Sequence, residues 1–165
     1  MKILVAGVGN VLLYDDGFGV EVARRLEQMS LPDGVDLIET GIGGMALVQE
    51  LCLGYDACII VDAADRGRPP GTVMLIEPDV LDVRSMPVAQ RHDLLADMHL
   101  ATPERSMMVA RAMGVLPERT FLVGCQPTDV ERLEIGLSAA VAAAVDVGVD
   151  EVLRCIQSLR DRVAP

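Results

Sequence analysis

Tryptophan is absent from this 165-residue chain, and Tyr14, Tyr55, Phe18 and Phe121 are its only aromatic residues of the Phe, Tyr and Trp kind. Hydrophobic residues still make up 51% of it, so the core has to be aliphatic, built from Val, Leu, Ile, Ala and Met. Such a composition suits a buried parallel sheet covered by helices. Basic residues are scarce, 14 against 25 acidic ones, for a net charge of −11. With no basic run and few aromatic platforms, the chain lacks both features by which nucleic-acid binders are recognised. No apolar stretch reaches the roughly 18 residues that span a bilayer. The longest apolar block, residues 139–145, is alanine-rich and reads as a packed helix. The opening run, residues 1–6, meets Gly7-Val8-Gly9-Asn10 too soon for a secretory signal. Cys52, Cys58, Cys125 and Cys155 show no paired metal-site spacing. The expectation is a cytoplasmic protein whose cysteines are reduced, buried and inert.

What is present is an alternation of strand and helix signals. A length of 165 residues fits one domain of the usual size, about 100–200 residues, and no repeat or low-complexity linker divides residues 1–165. Residues 2–8 form an apolar, β-branched run closing on glycine, and residues 17–29 place Val20, Val22, Ala23 and Leu26 on one helical face. Residues 35–39 read as a second strand and 44–53 as a second helix. Residues 57–62 give the strongest strand signal, apolar up to a terminal carboxylate. A fourth strand over 72–77 is set off by Pro69-Pro70-Gly71 and closed by Pro78. Helices are predicted over 93–100 and 103–113, the second with Thr102 as its cap and Pro103 pre-shaped for its first turn. Residues 120–124 form the fifth strand. Residues 138–163 are helical, with Gly148 a candidate break. The prediction is an α/β fold, a three-layer α/β/α sandwich with a mostly parallel five-stranded sheet.

In open parallel sheets, sites form in the loops beyond the carboxyl ends of strands. The predicted strands send residues 9–16, 62–65, 90–93 and 125–127 to that edge. The first segment, Gly7-Val8-Gly9-Asn10-Val11-Leu12, superficially resembles a dinucleotide-binding turn. It lacks the third glycine, and Asp15 and Asp16 at the helix entrance would repel a pyrophosphate. Asp15 is readable as an N-cap. Asp16 adds a second carboxylate without a second capping need, and a nearby cation would relieve the repulsion. Asp62 ends an apolar strand, where a carboxylate needs solvent, a donor or a cation; Asp65, further into the loop, is expected to face water. Of the two histidines, His92 stands before a predicted helix and His99 near its end. Asp16, Asp62 and His92 together make an oxygen and nitrogen donor set suited to a divalent ion such as nickel, zinc or cadmium, with coordination positions left open. No serine nucleophile elbow and no H-E-x-x-H helix occurs.

These residues carry a family resemblance. Residues 1–20, with Gly7-Val8-Gly9-Asn10 and Asp15-Asp16-Gly17-Phe18-Gly19, closely resemble the N-terminal signature of the nickel–iron hydrogenase maturation proteases. The likeness continues through residues 54–63 and 70–73, His92-Asp93-Leu94-Leu95 and Val123-Gly124-Cys125-Gln126-Pro127, in the expected order. The resemblance implies an endopeptidase that removes a short C-terminal extension from a hydrogenase large-subunit precursor after nickel insertion. Its metal ligands would be Asp16, Asp62 and His92, with nickel supplied by the precursor and another divalent cation able to occupy the isolated protein. The position of Asp16 is often glutamate in the family. The family's Asp-Gly-Gly-Thr type loop, associated with substrate recognition, corresponds to Glu39, Thr40, Gly41, Ile42 and Gly43 here. Nickel would anchor the scissile region and could polarise its carbonyl. The rival readings are a hydrolase of a small substrate with its own resident zinc and a non-catalytic precursor-binding module. His99 is expected to be dispensable for cleavage. No nucleic-acid partner and no membrane insertion are expected.

Overall fold

A computed structural model describes residues 1–87 and 102–162. The predicted helix over 93–100, His92 and His99 lie outside the described residues. Five strands make one sheet: β1 (Ile3–Val8), β2 (Val35–Gly41), β3 (Ala57–Ala63), β4 (Val73–Ile76) and β5 (Arg119–Cys125), in the order β2-β1-β3-β5-β4. The pairs β1·β2, β1·β3 and β3·β5 are parallel, and β4 runs antiparallel to β5. The reversal of β4 follows from its connection. A parallel return needs a crossover of about a dozen residues or more, whereas Pro69-Pro70-Gly71 turns the chain back after only a short loop.

Among the described residues, two helices cover each face. Residue alternation along the strands decides which side chains meet them. Ile3, Val5, Ala57, Ile59 and Val61 pack with α1 (Phe18–Glu27) and α4 (Ala139–Asp161). Leu4, Ala6, Val8, Cys58 and Ile60 pack with α2 (Gly44–Leu51) and α3 (Pro103–Met113). Thr102 caps α3 through the Arg105 amide at 3.4 Å, with Pro103 in the first turn. The helix α1 lies unusually close to the sheet: a Cβ at Gly19 would stand 2.0 Å from the Val61 carbonyl oxygen and 2.3 Å from that of Val8. Only glycine permits that approach, and it draws the turn before α1 over the carboxyl edge of β1 and β3.

Two expectations need correcting. Gly148 does not break the last helix, which runs uninterrupted over 23 residues. Its lack of a side chain serves packing, since a Cβ there would meet Phe18 Cζ at 2.8 Å and Val22 Cγ2 at 3.0 Å. The cysteines are free, but only Cys58, Cys125 and Cys155 are buried; Cys52 is exposed at the end of α2. Burial pushes the Cys58 thiol up to about 12, consistent with an inert packing residue.

Candidate active-site cleft

The chain leaves β1 through Gly9, whose φ of +137° and contact with the Asp16 carbonyl exclude a side chain. Asn10 then folds the turn: its Oδ1 accepts from the Leu12 amide at 3.0 Å, and its carbonyl from the Leu13 amide at 2.9 Å. A single 3₁₀ turn, Tyr14–Gly17, follows and carries both aspartates. The two diverge in role. Asp15 is fully buried and accepts from the backbone amides of Ser138 (2.6 Å), Thr128 (2.8 Å) and Asp129 (3.4 Å). It therefore clamps this turn to the segment after β5 and makes no cap for α1, contrary to the local reading. Tyr14 adopts φ +51°, rare for a residue with a side chain; its amide is held by the Glu134 carbonyl at 2.9 Å.

Asp16 faces the other way, into a cleft of about 580 Å³ at the carboxyl edge of the sheet. Its Oδ2 accepts from the Asn10 amide at 2.8 Å, so the protein's own carboxylate takes an N–H that a phosphate would need in a nucleotide site. Burial raises its pKa, partly offset by that hydrogen bond. Asp62 lies in β3 on the same side as Cys58 and Ile60, and its carboxylate lines the same cleft. Among the described residues, Asp62 Oδ1 is the single buried side-chain oxygen or nitrogen without a hydrogen-bond partner. Desolvation first, then the charge of Asp16, push the Asp62 pKa well above the ordinary carboxylate range, with a smaller push from Glu104.

Asp16 and Asp62 thus converge, as their places after β1 and in β3 led one to expect. Among the described residues no group of three His, Cys, Asp or Glu side chains is arranged to ligate a metal. Of the other predicted recognition residues, Gly41 and Ile42 line the cleft and Ile42 is 70% exposed. Glu39 is turned toward α1, paired with Arg24 at 3.1 Å, and the Thr40 hydroxyl donates to the Gly7 carbonyl at 3.3 Å. Gly43 closes a turn on the Thr40 carbonyl at 2.8 Å. Asp65 is exposed, as predicted, yet its Oδ1 accepts from Gln126 Nε2 at 3.0 Å, which with the Gly67 amide lowers its pKa. Gln126 is buried and also accepts from the Arg66 and Arg68 amides at 2.7 and 3.1 Å. That single side chain shapes the loop after β3.

Sequence reasoning overlooked Glu104 and Arg66. Glu104 belongs to the first turn of α3 and borders the cleft beside Thr102 and Pro103. An acid in a first turn reads as ordinary dipole compensation, and nothing local ties it to Asp62, 42 positions away. Arg66 is the one cation among the described lining residues.

A three-layer α/β protein with two carboxylates in a cleft at the carboxyl edge of its sheet has its site where open α/β sheets bind their ligands. A family model described as hydrogenase maturation protease (HycI) matches residues 20–155. The chain is 34% identical over 158 residues to the hydrogenase expression/formation protein HupD of Rhizobium leguminosarum bv. viciae, covering 95% of this chain and 75% of that protein. It is 33% identical over 160 residues to the hydrogenase 2 maturation protease of Escherichia coli strain K12, covering 95% and 92%. The fold matches the hydrogenase maturating endopeptidase HybD from E. coli with a TM-score of 0.76 and 30% identity, over 96% of this chain and 93% of that one. The chain belongs to the hydrogenase maturation protease family, whose members cleave the C-terminal extension of the hydrogenase large subunit, and it is a protease.

Proposed function

We propose that this endopeptidase acts on a hydrogenase large-subunit precursor that already carries nickel, and that Asp16 and Asp62 engage that nickel. The observation that carries the reading is Asp62 Oδ1, buried and without a partner beside a second carboxylate. Leaving such an oxygen unpaired costs free energy. A divalent cation delivered into the cleft would remove both that cost and the repulsion between the two acids. Two oxygen donors leave most coordination positions to the ligands that the precursor already supplies. Gly41 and Ile42 line the cleft, and in this reading they would touch the segment leading to the scissile bond.

The resemblance assigns His92 as the third ligand. Cleavage of nickel-loaded precursor, followed by mass spectrometry, tests the assignment. Asp16→Asn and Asp62→Asn should each reduce the rate at least a hundredfold or so, the scale of losing an interaction made at the reacting centre. His92→Ala should do the same, whereas His99→Gln should leave activity largely intact. Near-native rates for both aspartate variants would sink the reading. Complex formation without cleavage by the wild-type protein would favour a binding module. Stoichiometric metal retained on gentle purification would favour a resident-metal enzyme.

A further inference from the structure

Hydrolysis of a peptide bond is speeded by a group that takes a proton from water and later returns it to the leaving amine. Among the described lining residues of the cleft, the side chains able to take a proton near neutral pH are Asp16, Asp62, Asp65 and Glu104. Arg66 stays protonated and accepts nothing. Three of the four acids are already committed. Asp16 Oδ2 accepts from the Asn10 amide at 2.8 Å. Asp65 Oδ1 accepts from Gln126 Nε2 and from the Gly67 amide, each at 3.0 Å. Asp62 is buried, and its unpartnered Oδ1 is the atom assigned above to the incoming cation. Glu104 differs from all three. It is exposed on the cleft wall, and among the described residues its carboxylate has no hydrogen-bond or ion-pair partner.

Its position separates it from the metal-engaging pair. The charge of Glu104 reaches Asp62 and adds to the rise in that group's pKa. Yet among the described residues no three acids are arranged to hold one cation, so Glu104 stands beside the Asp16–Asp62 pair and not within it. The start of α3, fixed by the Thr102 cap and Pro103, gives it a rigid base. We propose that Glu104 is the general base of the cleavage; the inference rests on the function proposed above, in which the precursor's metal is engaged by Asp16 and Asp62. A water between Glu104 and the scissile carbonyl gives one proton to the carboxylate as its oxygen bonds to the carbonyl carbon. The carbonyl electron pair moves onto its oxygen and returns as the C–N bond breaks. Glu104 then passes its proton to the departing amine and ends as it began, with water the one co-reactant. An acid in a first turn is also favoured by the helix dipole, but that role predicts a change in stability and none in turnover.

The test measures single-turnover cleavage of nickel-loaded precursor by wild type, Glu104→Gln and Glu104→Asp, with precursor affinity and thermal melting followed in parallel. Both variants should melt like wild type, because the altered side chain is exposed. Glu104→Gln should bind the precursor within about twofold of wild type and cleave it about a hundredfold or more slowly, the scale of general-base catalysis. Glu104→Asp keeps a carboxylate on a shorter stem and should recover part of the rate. Cleavage by Glu104→Gln at the wild-type rate, with or without a loss of stability, overturns the base and leaves the function beneath it standing. A loss of precursor binding in place of a loss of rate makes Glu104 a docking or cation-holding group and overturns the base equally. Failure of wild type to cleave the nickel-loaded precursor overturns both this inference and the function on which it rests.

Discussion

Adjacent aspartates with opposite fates define the site. Asp15 is buried and satisfied by three backbone amides, whereas Asp16 and its neighbour Asp62 are held in the cleft with little compensation. Asp15→Ala would leave three amides short of a partner and should cost on the order of 3 kcal/mol, read as a shift of the urea midpoint. Asp62 responds in the other sense. Its folded pKa lies well above the unfolded value, so its contribution to stability is complete below about pH 4 and is lost as pH rises through the folded value. Asp16, shifted the same way, adds to that slope. The metal-free Asp62→Asn variant should therefore outlast wild type in urea near neutral pH, with the gap closing toward pH 4. A wild type more stable than the variant at pH 7 would contradict the orphan-carboxylate account. The motif made Asp16 and Asp62 legible from sequence. The role of Asp15 was not legible, because its donors stand 113 or more positions along the chain.

Elements were easier to read than their contacts. The apolar run of β3, the Thr102–Pro103 start of α3 and the alternation of strands with helices each express a local preference, and all appear in the fold. Gly148 was misread because a glycine's helix penalty is local while its reason here is tertiary. Gly148→Ala gains about 1 kcal/mol of helix propensity. Against that, the new methyl would press on Phe18 and Val22, both fully buried. Overpacking of this kind costs about 1–3 kcal/mol, so the variant should be the less stable, by up to about 2 kcal/mol in equilibrium unfolding. A stabilised variant would mean that α1 and α4 can part more easily than the close packing implies. Gln126 teaches the same lesson, being plain in sequence and yet the side chain that ties the loop after β3 to the end of β5.

The whole molecule is acidic, with a cleft lined by Asp16, Asp62, Asp65 and Glu104 against the single cation Arg66 among its described lining residues. Such a field attracts a cation or a cation-bearing partner. No helix among the described residues is long and apolar enough to cross a membrane. Protons compete with metal for the carboxylates, whose pKa values are raised, and for an imidazole ligand, so cleavage should fall as pH drops below the histidine range of about 6–7. A rate–pH profile checks this, and a flat profile down to about pH 5 would contradict it. The central claim is that the enzyme reads nickel already lodged in its substrate. It is tested most directly by incubating metal-depleted enzyme with nickel-loaded and nickel-free precursor in parallel and measuring the mass of the large subunit. The account predicts removal of the C-terminal extension from the loaded precursor alone; equal cleavage of both would contradict it.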